Sequence, residues 1–141
     1  MPPGSTDLDA MLRTLDVEAR AEPYVFANVA PGDPVLAFAD AIVVEREGVT
    51  AVVRADLAVA RGVPHEFEAA WLSLTVHSAL EAVGLTAAFS VALGDAGISC
   101  NVLAGFHHDH ILVPWARRDD AVAALRALRA SSGGPPPGDA G

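Results

Sequence analysis

Residues 84–105 read GLTAAFSVALGDAGISCNVLAG, and their hydrophobic period changes partway through. Leu85, Phe89, Ala92, Leu93 and Ala96 recur at helical spacing, and Gly97 stands where a left-handed C-terminal cap is wanted. The spacing predicts a helix over 86–96. From Ile98 to Ala104 the pattern is extended, Gly105 to Asp109 reads as a turn, and His110 to Pro114 is extended again. Upstream, WLSLTVH (71–77) sets Leu72, Leu74 and Val76 against Ser73, Thr75 and His77, the alternation of a half-buried strand. Downstream, a helix is expected over 118–129, opened by Asp119 and Asp120 and closed by Arg126 and Arg129, each charge matching its end of the helix dipole. Val122, Leu125 and Leu128 form its apolar stripe. This half of the chain is therefore β-α-β-β-α.

The first half repeats the grammar less completely. A short helix is expected over 7–15, with Asp7 as cap and Leu8, Met11, Leu12 and Leu15 on one face. Strands follow at 24–29, 41–46 and 50–54, the last two joined by a turn at Glu47, Gly48 and Val49. A helix at about 56–61 has Asp56 as cap and Gly62 as stop. Between the first two strands, Pro31, Gly32 and Pro34 limit the helical stretch 31–40. The expected architecture is α+β: two units side by side, one over 7–66 with its first helix reduced and one over 67–130, their antiparallel sheets covered by helices. Residues 1–6 are expected to fray, and SSGGPPPGDAG (131–141), rich in Gly and Pro and without apolar periodicity, to be a disordered tail.

Composition narrows the function classes. Hydrophobic residues make up 52% of the 141, yet no run approaches the roughly 18 apolar residues of a membrane span, and MPPGSTDLDA lacks the blocks of a signal peptide. A cytoplasmic protein is expected. The net charge of −9, with no basic stripe, disfavours nucleic acid and anionic membrane as partners. A single cysteine cannot form an internal disulfide. That leaves a small molecule or another protein as partner.

Three of the five histidines crowd into FHHDHILVP (106–114). With residue 110 opening a strand, His108 and His110 share one face and His107 and Asp109 the other, so at most two good ligands lie on a side where zinc wants three or four. The cluster reads as a solvated hairpin tip; the alternative is a metal-binding protein or metal-dependent enzyme built on His107, His108 and His110. Cys100 reads as a small buried residue, since no cation and no orienting third group stands at a recognisable spacing. No catalytic residue, metal ligand or cofactor is assigned.

The run 84–105, followed by HILVP and DDAVAALRAL, resembles the ACT domain, and in particular the ACT repeats of aspartate kinases; with EREGVTAVV in the first half, the whole chain is similar to small stand-alone tandem-ACT proteins. The resemblance implies ferredoxin-like βαββαβ units and an amino-acid-binding, regulatory role without catalysis. It implies homodimerisation too, because ACT sheets commonly extend across subunits and an unpaired edge is a liability. It places the ligand between the loop after the first strand and the start of the second strand, often where two ACT units meet. In this sequence those positions are Gly84, Leu85, Thr86 and Ala87, with Cys100 and Asn101. Glycine admits close backbone approach, and free N–H groups at a helix start suit a carboxylate. Asn101 stands where the family often has aspartate, and a neutral amide gives up the charge-assisted hydrogen bond a strongly basic ligand would use. A ligand-free interaction module is the remaining alternative.

Overall fold

The computed structural model describes residues 3–76 and 84–133. In chain order these form helix α1 (Pro3–Arg13), strands β1 (Asp16–Ala19) and β2 (Tyr24–Val29), a 3-10 helix (Pro34–Phe38), strands β3 (Ala41–Glu45) and β4 (Gly48–Arg54), and helix α2 (Ala55–Ala60). Strand β5 (His65–Thr75), helix α3 (Leu85–Asp95), strands β6 (Asn101–Ala104) and β7 (Asp109–Pro114), a 3-10 turn (Trp115–Arg117) and helix α4 (Arg118–Gly133) complete the order. Sequence order divides the chain at 66/67, but packing divides it at 19/20 and 71/72. Residues 20–71 make one compact unit; the described residues up to 19 and from 72 onward make the other.

The central unit has strand order β3-β4-β2-β5, antiparallel throughout. Its connectivity is βαββαβ, with the 3-10 helix standing in for the first helix. Val25, Ala27 and Val29 of β2 pair with Val53, Ala51 and Val49 of β4 and share one face. Ala55, Ala58 and Val35 close over that face, giving a small dry core. Asp33 caps the 3-10 helix by accepting from the Val35 amide at 2.9 Å, and five residues are too few to reach the outer strand. Ile42 and Val44 of β3 pair with Ala51 and Val49, so the core face continues into them, yet they stay exposed, Val44 at 80%.

The flanking unit has the order β1-β5-β7-β6, with β1 and β6 at its edges. Helix α1 packs on α4, and α4 also meets α3 and β1. Met11, Leu12 and Leu15 of the N-terminal segment, Leu72 and Leu74 of β5, Leu85, Phe89 and Leu93 of α3, Ile111 and Val113 of β7, and Leu125 of α4 are all buried. The centres of the apolar periods expected for these helices and for β5 therefore build the core, while Leu8, Val76, Val122 and Leu128 are half-buried and Ala96 is exposed.

Several boundaries differ from expectation. The sequence shows no strand at 16–19, because only Val17 of Asp-Val-Glu-Ala is buried; β1 exists because β5 offers it a ladder from Leu72 to Thr75. Strand β5 starts at His65, six residues early, since the partners of 65–69 lie on β2. The β3–β4 turn is Arg46–Glu47, with Gly48 already paired to Glu45. Helix α1 starts at Pro3, inside the stretch expected to fray, and α4 runs to Gly133, so residues 131–133 are helical and Arg126 and Arg129 do not end the helix. The rest of the expected tail, His77, and the loop before Gly84 lie outside the described residues. No helix among the described residues is long and apolar enough to cross a membrane.

Candidate ligand site

Gly84 directly precedes α3 with φ +97° and ψ −13°, a left-handed conformation that an L side chain rarely adopts. A Cβ there would also lie 3.1 Å from Leu8 Cδ2 on α1, a tight contact, so conformation favours glycine and the close neighbour adds to it. The Gly84 carbonyl accepts from the Ala88 amide at 2.9 Å, which starts the helical ladder. Leu85 turns into the core, whereas Thr86 and Ala87 are exposed. The helix thus begins with Thr86 and Ala87 exposed and with Leu8 of α1 against Gly84. Leu8 was not legible as part of this site, because it lies in a segment that packing alone brings next to Gly84.

Cys100 and Asn101 stand beyond the other end of α3. Eleven helical residues span about 16 Å, so one copy of the chain does not gather all six positions around a single small molecule. Asn101 is exposed at the start of the edge strand β6, and its side-chain amide donates to the Leu112 carbonyl across the β6–β7 pair at a long 3.5 Å. Its carbonyl oxygen is left to other donors. Cys100 is half-buried, and burial pushes its thiol above the ordinary range, away from thiolate chemistry.

The histidine hairpin divides at its base. Phe106, 78% exposed, and the exposed His107 and His108 form the tip, closed by the Gly105 amide donating to the His108 carbonyl at 2.9 Å. His110 turns inward instead, and its Nδ1 lies 2.8 Å from the Ser73 hydroxyl on β5. Its ring also fills the space over Gly105, where a Cβ would meet Nε2 at 3.0 Å. The rings of His108 and His110 are 6.4 Å apart, and no group of three His, Cys, Asp or Glu among the described residues is arranged to hold a metal ion.

The central unit holds a polar cluster that the sequence did not announce. Asp40 Oδ2 accepts from Tyr24 OH at 2.7 Å and from Arg20 Nη1 at 2.6 Å, while the Arg20 guanidinium lies 4.0 Å over the Trp71 ring. Burial, and then the hydrogen bond to Asp40, raise the Tyr24 phenol above its ordinary value. The four residues are 51 positions apart at the extremes and meet only because β2 and β5 pair.

Two ferredoxin-like units of antiparallel strands and helices, a left-handed glycine opening the first helix of one, and an exposed edge strand following that helix define a tandem ACT architecture. Two ACT domain family models match the chain, over residues 3–70 and 66–127, and the chain belongs to that family. It is similar in structure to a Vibrio cholerae protein described as of unknown function and a possible transport protein: identity is 38%, the match covers 90% of this chain and 99% of that one, and the TM-score is 0.82. An Agrobacterium tumefaciens protein (18% identity, 82% and 89% coverage, TM-score 0.64) shares the fold. So does the ligand-free regulatory subunit of aspartate kinase from Thermus thermophilus (14% identity, 79% and 95% coverage, TM-score 0.56). No curated protein matches the chain.

Proposed function

We infer that this chain is a non-catalytic regulatory protein that binds an amino acid at an ACT site completed by a second copy and signals through association as a homodimer in the cytoplasm. ACT domains in both halves support a regulatory ligand-binding role, and the aspartate-kinase regulatory subunits that share the fold point to the same class. The observation that carries the reading is the left-handed Gly84 releasing α3 with Thr86 and Ala87 exposed. Outward amide groups at a helix start suit the carboxylate of an amino acid, and the Asn101 carbonyl oxygen suits its ammonium.

The distance between the two ends of α3 supports a reading in which a second copy completes the site. Strand β6 is an edge strand that begins beyond the far end of α3 from Gly84. Pairing two β6 edges antiparallel about a two-fold axis brings the Asn101 end of one copy toward the Gly84 end of the other. Val102, 38% exposed on β6 and paired to the fully buried Ile111, then covers its core-side surface against its symmetry mate. Binding and association are thereby linked.

The test is a panel of the twenty amino acids read by thermal shift, followed by sedimentation of the protein with and without the responder. One amino acid should raise the melting temperature and the dimer population together. A panel without any response would reject the amino-acid reading and favour a ligand-free interaction module.

A further inference from the structure

In the central unit, β5 departs from regular pairing with β2 at one point. Tyr24 pairs with Ala69 and Phe26 with Glu66, so a single residue of β2, Val25, faces two of β5, Phe67 and Glu68. This is a β-bulge, and its first residue, Phe67, has φ +60°. That position in a bulge of this kind is ordinarily glycine, because an L side chain is strained there. Burial offsets the strain only in part: Phe67 is still 36% exposed. Its ring lies 5.7 Å from that of Phe26, tilted by 44°.

Phe26 lines a cleft of about 410 Å³ on the sheet together with Ala27, Asn28, Thr50, Pro64, His65 and Glu66; Phe67 is not in that lining and adjoins it through its ring contact with Phe26. Glu66 is the only carboxylate in that lining and no arginine belongs to it. The Asn28 side chain packs over Gly48, with Oδ1 2.6 Å from where a Cβ would stand, and makes no hydrogen bond among the described residues. His65 Nδ1 is held by the Val63 carbonyl at 2.8 Å, which fixes the ring at the rim. An aromatic pair retained at a conformational cost stands here beside an exposed carboxylate and an exposed amide, so an aromatic face and two polar groups are open to a ligand together.

We propose that this cleft binds a small organic cation carrying a flat apolar group. The flat group lies against Phe26 and Phe67, and the cation sits between the Glu66 carboxylate and the aromatic faces. The net charge of −9 favours such ligands over anions at every stage of approach. The site shares no residue with the Gly84–Asn101 positions and does not depend on the amino-acid reading.

The experiment is an NMR titration of the ¹⁵N-labelled full chain with benzylammonium, methylammonium and benzoate. Benzylammonium should give saturable shifts at the amides of Phe26, Asn28 and Glu66, with affinity at least tenfold above the other two. Glu66→Gln should weaken it several-fold with the fold unchanged. Phe67→Gly should leave the melting temperature equal or higher, because glycine relieves the positive φ, while benzylammonium affinity falls at least tenfold. Equal binding of benzoate, no saturable shift at these amides, undiminished binding by Phe67→Gly, or a lowered melting temperature in Phe67→Gly would each overturn the proposal, the last by assigning Phe67 to packing.

Discussion

The guanidinium of Arg20 lies flat over the indole of Trp71, 4.0 Å from its centroid, while its Nη1 is held by Asp40 at 2.6 Å. Trp71 is 2% exposed, so Arg20 acts as a lid whose carbon stem excludes water and whose charge is met at the rim. Arg20→Lys should cost about 1 kcal/mol, because a compact ammonium cannot stack on the ring and reach Asp40 together. Urea denaturation should show the loss as a lower midpoint at unchanged slope. An unchanged midpoint would mean that the half-exposed pair contributes nothing, as many surface ion pairs do.

Tyr24 is the chain's only tyrosine, so its titration can be read by ultraviolet absorbance without assignment. Its phenol is raised above the ordinary value of 10.0 by burial and by Asp40, so the folded state keeps the proton longer than the unfolded state. The associated stability is fully present below the unfolded value and falls as pH rises from there through the folded one. Tyr24→Phe should flatten that alkaline decline and, at neutral pH, cost about 1–2 kcal/mol for the lost bond to a charged acceptor.

Asn101→Ala separates ligand binding from folding. Its only described side-chain bond is the 3.5 Å contact to the Leu112 carbonyl, so the unliganded melting temperature should move little. A responding amino acid at about 100 times its dissociation constant stabilises by about 2.7 kcal/mol. For this chain length that is a rise of about 5–15 °C, and most of it should vanish in the variant. An undiminished shift with unchanged affinity would remove Asn101 from the site.

Val102→Glu places a charge on the β6 edge at the exposed margin of the core-side face, where Val102 is 38% exposed beside the buried Ile111. Sedimentation equilibrium should show at least a tenfold weaker dimer, and the monomer's melting temperature should change by no more than about 0.5 kcal/mol would produce. A dimer that persists unchanged would move the interface to another edge, and the apolar β3 edge with Val44 would be the place to test next.

Cys100 should react slowly with thiol reagents in the folded protein. Burial raises its thiol, so at neutral pH the thiolate fraction is below that of a free cysteine. Dithionitrobenzoate should label it faster after unfolding in urea. A folded-state rate above the free-thiol rate would reopen a nucleophilic role.

Local chemistry decided much of this molecule. The helical period of Leu85, Phe89 and Leu93, the alternation of Leu72 and Leu74, and the stop at Gly97 are short-range signals, and each sits in the core or at the cap it announced. The acidic balance and the absence of a long apolar run are likewise properties of the chain alone. Family membership followed from the same stretch. Other features are properties of pairing. Strand β1 has one buried residue in four and becomes a strand only against β5, which also draws the N-terminal segment away from the residues that follow it and into the unit beginning at Leu72. The six proposed ligand positions look close in the sequence, yet an eleven-residue helix of about 16 Å stands between Gly84 and the Cys100–Asn101 pair, and only rigid helical rise makes that plain. Phe67 shows the limit most sharply: nothing in HEFEA marks its phenylalanine as left-handed, because the bulge comes from fitting two residues of β5 opposite one of β2. Sequence carries the periods that bury one face, whereas register and residue count between paired strands are settled only when the strands meet.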